Sequence, residues 1–265
     1  MKTSHFSDWQ KSLQLPIFDS ISAPPSLSDI DKVLTEAIGW AAEECLRLNR
    51  NEICTTLSGG LDSSFCLAKI REIVGPKVKI NTFTIGWNKK YPDICYARQV
   101  AKIFNAVHHE LIPRYSEVVM ARKILSAHSP EEARRLGNVA VYMAYRQLER
   151  LSQYCAIAHD GIDELLGGYW EHRDTDQTKA FTNFWARLKT DHLEPLSWKA
   201  QKFSVNVILP YLHPQVVACL TRIPVKERTS LTVSKIPLRT LAKKYLPVEI
   251  LERPKLGFCN ALGEE

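Results

Sequence analysis

No apolar run in this chain approaches the ~20 residues needed to span a bilayer. The first ten residues carry no apolar core of a signal peptide, so a cytoplasmic location is the expectation. No Cys-x-x-Cys pair occurs among the seven cysteines (Cys45, Cys54, Cys66, Cys95, Cys155, Cys219 and Cys259). That excludes a disulfide framework and a paired-cysteine metal site, and predicts mostly buried, reduced thiols. Basic residues exceed acidic ones, 35 to 29, but they are dispersed rather than clustered. A net charge of +6 therefore suits an anionic ligand without marking a nucleic-acid surface. Internal repeats and low-complexity tracts are absent, and no Gly-Lys-Ser or Gly-Lys-Thr of a Walker A loop is present.

What is present is an ordinary globular composition, 45% hydrophobic and 24% charged, over 265 residues. That length supports one large domain, or one domain with a substantial extension. Residues 1–27, broken by Pro16, Pro24 and Pro25, read as an irregular N-terminal arm, and residues 28–265 as the domain. Ser28 is the expected N-cap of a helix from Asp29 to about Arg47, with an apolar stripe through Ile30, Val33, Leu34, Ala37, Ile38, Ala41 and Cys45. Strands are expected at 53–57, 78–85, 106–111 and 155–158, and helices at 62–74, 93–105, 115–127 and 137–152. This alternation predicts an α/β fold with a doubly wound parallel sheet. After Trp170 the pattern turns helical and irregular, punctuated by prolines, as a helical C-terminal extension.

The most specific stretch is Leu57-Ser58-Gly59-Gly60-Leu61-Asp62-Ser63, set between a strand and a helix start. Adjacent glycines bring the backbone close to a ligand. Amide N–H groups and the helix dipole then face an anion. Ser58 and Ser63 add hydroxyls, and Asp62 supplies a carboxylate for Mg²⁺ riding on phosphates. The stretch resembles the pyrophosphate loop of the ATP-pyrophosphatase superfamily, which implies cleavage of ATP to AMP and pyrophosphate. A second candidate segment ends the 155–158 strand: His159-Asp160-Gly161-Ile162-Asp163-Glu164, followed by Gly167-Gly168-Tyr169. Its place beyond a strand's carboxyl end is where ligands sit in such sheets.

This second segment resembles the asparagine synthetase family's Ser-Gly-Glu-Gly-Ser-Asp-Glu loop with its Phe-Gly-Gly-Tyr. So do Thr82-Phe-Thr-Ile85-Gly86, Val107-His108-His109-Glu110, Leu209-Pro-Tyr-Leu212, Lys235-Ile-Pro-Leu-Arg239 and Arg253-Pro-Lys255-Leu-Gly-Phe258. From about residue 50 onward the chain is similar to the synthetase domain of that family, whose fold is adenine nucleotide α-hydrolase-like. The resemblance implies that Asp62 and Asp163 bind Mg²⁺ and pyrophosphate, and that Ser58, Gly59, Gly60 and Ser63 cradle the phosphates. It implies Leu57 and Ile85 at the adenine pocket, and Lys235 as the cation that steadies charge during adenylation and amide formation. Asp160 stands where the family has Glu in its signature loop, a change that matters if this carboxylate handles the proton of the attacking amine. His108 and His109, with no matching ligand set, read as structural.

Two departures and one absence qualify the implied activity. Asp160 withdraws its carboxylate by about one C–C bond, and Ala158-His159 replaces Ser-Gly, so the adenine and acyl-adenylate pocket is expected to be reshaped. Only about fifty residues precede the phosphate loop, too few for the family's glutaminase domain. The expectation is an amide-forming ligase using ATP and Mg²⁺, joining a small carboxylate to free ammonia, to an amine, or to nitrogen from a separate glutaminase or amine-donor subunit. A homodimer is compatible with this. Two alternatives stay open: a tRNA-modifying adenylating enzyme, and a non-catalytic ATP-binding subunit of an amidotransferase.

Overall fold

The computed structural model describes residues 6–19, 23–174, 176–254 and 261–263. Lys255 to Phe258 of the Arg-Pro-Lys motif, and Cys259, lie outside the described residues. Five strands, β1 (Glu52–Thr56), β2 (Lys79–Ile85), β3 (Val107–Leu111), β4 (Cys155–Ile157) and β5 (Asn206–Ile208), form one sheet in the order β3-β2-β1-β4-β5. Every pairing is parallel. β1 is buried along Ile53, Cys54 and Thr55, and β4 along its whole length. Such continuous apolar runs are what strands covered on both faces require.

The helices of the first half are α1 (Phe6–Ser12), α2 (Leu27–Leu48), α3 (Leu61–Val74), α4 (Pro92–Ile103), α5 (Tyr115–His128), α6 (Pro130–Arg134) and α7 (Leu136–Arg150). Those that follow are α8 (Ile162–Leu166), α9 (Gln177–Leu188), α10 (Glu194–Lys202), α11 (Pro214–Leu220), α12 (Val225–Arg228), α13 (Ile236–Ala242) and α14 (Val248–Leu251). By the general right-handed rule for parallel crossovers, α3 and α4 share one face of the sheet, and α2 packs against α3, β1 and β4. The crossover from β3 to β4 runs back the other way and puts α7 on the opposite face, packed against α5 and α10. Successive strands thus move outward from β1 on one side and from β4 on the other. The crevice between the β1 and β4 loops is the topological switch point.

Three sequence expectations are corrected. α2 is capped by Ser26, two residues before Ser28: the Ser26 hydroxyl accepts from the Asp29 amide at 3.2 Å, and the Asp29 carboxylate takes the Ser26 amide at 2.9 Å. This reciprocal box needs an acceptor side chain three residues on, which Asp29 supplies to Ser26. The strand β5 lies within a stretch expected to be helical and irregular. Its three residues are too short to show a period, and are identifiable only from the parallel pairing with β4. The arm is not wholly irregular, because Phe6–Ser12 is helical.

The arm is also tied down. Ser12 Oγ donates to the Leu212 carbonyl at 2.6 Å in a buried contact, and the Asp19 amide donates to Thr221 O at 2.9 Å. Arg228 is fully buried and donates to the carbonyls of Ile17 (3.0 Å), Leu165 (3.2 Å), Thr221 (2.8 Å) and Ile223 (2.7 Å). Its guanidinium carbon lies 5.2 Å from the Phe18 ring centre and 5.3 Å from that of Phe181. One side chain thereby joins the arm, α8 and the segment before α12. Of the six described cysteines, none is disulfide-bonded and only Cys95 is exposed. Among the described residues no helix is long and apolar enough to cross a membrane.

Replacing Arg228 by Met keeps much of the volume but takes the guanidinium donors from four carbonyls, of which Thr221 O keeps the Asp19 amide and those of Ile17, Leu165 and Ile223 lose their donor. We expect Arg228→Met to lose about 3 kcal/mol of stability or more. Chemical denaturation would show it, and a loss below about 1 kcal/mol would contradict this account of the arm.

Candidate active site

Three segments converge at the switch point. The first is the turn after β1. Gly59 has φ +70°, and a Cβ there would come within 2.5 Å of the Tyr96 and Ala97 backbone of α4. Only glycine lets the loop pass this close. Gly60 is the N-cap of α3, and no side chain caps it. The first amides of α3 therefore have neither an intrahelical acceptor nor a capping oxygen from Gly60. The Ser58 and Ser63 hydroxyls lie 3.3 Å apart, and each accepts a long 3.3 Å bond from a loop amide, Gly60 to Ser58 and Ser58 to Ser63. These long bonds are weak ones, and an anion's oxygens compete well for such donors.

The second segment follows β4. Gly161 has φ +97°, and a Cβ there would strike Leu212, so the chain turns abruptly into α8. α8 is barely more than one turn and ends at Gly167 in the left-handed region. The amides of Gly167 and Gly168 both donate to the Asp163 carbonyl, at 2.9 and 2.8 Å. A Cβ on Gly168 would overlap Asp163 Oδ1 and approach Lys235 Cε. The glycine pair therefore clears room for the Asp163 carboxylate and the lysine beside it.

The third segment brings that lysine. Lys235 sits in the left-handed region itself, at φ 53° and ψ 46°, as the N-cap of α13. This is an uncommon conformation for a residue with a Cβ, and such strain gathers at functional positions. Its amide donates to Leu166 O at 3.2 Å, which links α13 to α8. The Lys-x-x-Leu-Arg spacing then has a physical cause: Leu238 is fully buried, and Arg239 donates to the carbonyls of Ser234 and Leu251.

These supports place Lys235 Nζ 2.5 Å from Asp62 Oδ2 and 2.6 Å from Asp163 Oδ1. Burial works against the ammonium, but the two carboxylates outweigh it and hold Lys235 above the ordinary lysine range. The start of α3 is further propped by Tyr211, whose hydroxyl donates to the Asp62 carbonyl at 2.8 Å. Two acids from loops about one hundred residues apart thus face one cation. Their hard oxygens suit Mg²⁺. Among the described residues, no group of three or more His, Cys, Asp or Glu could hold a metal unaided. The donor set therefore fits a Mg²⁺ ion whose remaining ligands are phosphate oxygens and water, the usual mode for that ion.

The other expected residues fall in different places. Leu57 and Ile85 are buried, 1% and 2% exposed, at the carboxyl ends of β1 and β2. The Thr84 hydroxyl donates to the Leu57 carbonyl and locks the two together. Asp160 shares the β4 loop but not the Lys235 cluster; burial chiefly pushes its carboxyl up, with His192 pulling the other way. His159 is held neutral by burial, which lowers its pKa to about 3, and its ring nitrogens lie 3.3 Å from the Thr55 and Thr56 hydroxyls. His108 and His109 are on β3, where they contact Thr82 and Asn81 at 2.9 and 3.1 Å; His109 also stacks on Phe83.

The sequence pattern did not single out Glu164. It is 2% exposed, and Tyr169 OH donates to it at 2.7 Å while the Tyr169 ring stacks on Phe184. Burial, aided by Asp163, pushes its carboxyl up to about 7. Its neighbours in sequence hid it: three acids within five residues look alike on paper, yet Asp163 points to a cation and Glu164 to a phenol.

The chain is also similar to known proteins. The sequence profile of the asparagine synthase family matches residues 33–204 and 199–265. Asparagine synthetase (glutamine-hydrolyzing) 2 of Oryza sativa subsp. japonica is 26% identical over 228 residues, 78% of this chain and 38% of that protein. The probable asparagine synthetase (glutamine-hydrolyzing) of Acanthamoeba polyphaga mimivirus is 26% identical over 253 residues, 90% of this chain and 44% of that protein. The chain spans less than half the length of these curated relatives. Among solved structures, NMN synthetase from Francisella tularensis aligns with a TM-score of 0.49 and 13% identity, over 87% of this chain and 76% of that one.

Two expectations follow. Lys235→Met leaves Asp62 and Asp163 facing each other without a cation. Added Mg²⁺ should then raise the melting temperature of Lys235→Met by several degrees more than that of the wild type, because the ion no longer competes with an ammonium. Equal shifts in thermal scans would remove the metal from this pair. For Glu164, the folded pKa of about 7 exceeds the ordinary 4.5. Between those values the folded chain keeps a proton that the unfolded chain has released, so this group's contribution to stability falls as pH rises through the window. Glu164→Gln keeps an acceptor for Tyr169 without the titration. Its melting temperature should gain on that of the wild type from pH 5 to pH 8, and a constant gap would show that Glu164 titrates normally.

Proposed function

The chain belongs to the asparagine synthase family, and from that premise we propose that it is an ATP-dependent, amide-forming ligase. In this proposal a carboxylate attacks the α-phosphate of ATP, pyrophosphate leaves, and ammonia or an amine displaces AMP from the acyl-adenylate. The observation that carries it is the gathering of Asp62 and Asp163 on Lys235 beside the Ser58–Ser63 loop, at the switch point of the sheet.

Each group has a task that its position suits. Ser58, Gly59, Gly60 and Ser63 offer amides and hydroxyls to the phosphates of ATP, and α3 directs its positive end there. Asp62 and Asp163 would hold Mg²⁺, which supplies charge neutralisation for the departing pyrophosphate when bound. Lys235 is always protonated where it stands, so it serves as a fixed cation near the developing charge and not as a base. Leu57 and Ile85 would form the apolar floor under the adenine. Asp160, with its carboxyl raised by burial, is placed to take a proton from the attacking amine. His159 and Ala158 occupy the position expected to shape the acyl pocket, and a neutral imidazole there narrows it.

Aspartate and ammonia are the first substrates to test, with the nitrogen coming as free ammonia or from an amine-donor partner, in a cytoplasmic setting. Incubation with Mg²⁺-ATP, aspartate and ammonium should yield AMP, pyrophosphate and asparagine. Asp62→Ala and Asp163→Ala should each lower pyrophosphate release by about a hundredfold or more. Formation of ADP and phosphate, or undiminished release from either variant, would sink the assignment.

A further inference from the structure

Behind the phosphate loop lies a second buried cation, supplied by the segment that follows α14. The Arg253 side chain is 4% exposed and ion-pairs with Asp93, itself 3% exposed, in the first turn of α4. Its guanidinium carbon lies 4.6 Å from the Tyr96 ring centre. A second arm of the guanidinium donates to the Ser58 carbonyl at 2.6 Å. Asp93 neutralises the charge locally, so Arg253 adds little net field at the phosphates. Its contact with Ser58 acts on the backbone instead.

The Ser58 carbonyl and the Gly59 amide belong to one peptide plane. In a trans peptide the C=O and N–H point in opposite directions, and none of the described peptide bonds is cis. Fixing the carbonyl toward Arg253 therefore fixes the Gly59 N–H away from it. No acceptor among the described residues takes that N–H. A charge-assisted bond at the carbonyl also polarises the amide and strengthens its N–H as a donor. Gly59 cannot easily turn elsewhere, because its α-carbon is pressed against the backbone of Tyr96 and Ala97.

We propose that Arg253 is a positioning residue that orients and polarises the Ser58–Gly59 peptide, making the Gly59 N–H a donor to a phosphoanhydride oxygen. Through it, the segment after α14 sets the anion affinity of a loop 195 residues away. This rests on the phosphate-binding assignment of the loop.

The test uses the full chain with inorganic pyrophosphate as probe, by calorimetry and by amide NMR of ¹⁵N-labelled protein. In the wild type, pyrophosphate should move the Gly59 amide proton strongly downfield. Arg253→Gln should weaken binding about tenfold and shrink that shift. Since Arg253→Gln strands the Asp93 carboxylate and could unfold, the paired variant Arg253→Met with Asp93→Asn removes both charges together. It should fold and show the same loss. Arg253→Lys, which keeps the ion pair but not the planar fork, should fall between. A Gly59 resonance that ignores bound pyrophosphate overturns the proposal. So does a folded double variant with wild-type affinity and shift, and in both cases the loop's phosphate role survives. No binding of pyrophosphate or ATP by the wild type overturns both.

Discussion

The contact of one buried ammonium with two carboxylates, Lys235 with Asp62 and Asp163, is what the rest of the site depends on. Burying two like charges side by side is unfavourable unless a cation lies between them. The fold provides that cation from a left-handed residue whose amide is tied to α8. Three loops that share no local sequence are thereby held in one arrangement. A cation bound by oxygen donors on phosphates has a similar electrostatic role, so the acids are already aligned for one.

The glycines explain how so much charge fits into a small volume. Gly59 lets the phosphate loop lie directly on α4, and Gly168 leaves space that Asp163 and Lys235 fill. Neither clearance can be read from a sequence as a distance. Both are nevertheless legible as adjacent glycine pairs next to acids, which is why the two loops stood out. The strand–helix alternation up to β4 was equally legible, because strands buried on both faces and amphipathic helices have distinct periods. The limits have equally concrete causes. Ser26 and Ser28 are interchangeable as caps until the reach of Asp29 is known. β5 is three residues long. Glu164 and Asp163 are neighbours whose side chains diverge. Arg253 was visible only as one letter of a motif, since its partners Asp93 and Ser58 are 160 and 195 positions away.

The departures around Ala158, His159 and Asp160 sit where the structure allows change without disturbing the cluster. β4 ends at Ile157, so these residues lie beyond the last paired position. The His159 ring is packed toward Thr55 and Thr56 at the end of β1, not toward Lys235. The side chains that gather the acids and those that would contact an acyl group are therefore different sets.

Among the described residues five lysines and arginines are buried: Lys69, Lys199, Arg228, Lys235 and Arg253. Such residues are almost never buried unless paired, and each here is satisfied in a way that links distant parts. Lys69 reaches Asp31 on α2 and Tyr245 beyond α13, while Lys199 on α10 reaches Glu132 on α6. Arg228 gathers carbonyls from the arm and α8; Lys235 and Arg253 close on the phosphate loop. Contacts of such sequence separation form late, because loop closure must precede them. The sheet from β1 to β3 rests on nearer neighbours, through apolar burial and side-chain bonds such as Thr82 to His108 and Asn81 to His109. The loop after β1 thus depends on contacts supplied by the C-terminal half of the chain. The positive charge of this chain is thus partly structural: Lys235 and Arg253 fasten the C-terminal half onto the loop after β1.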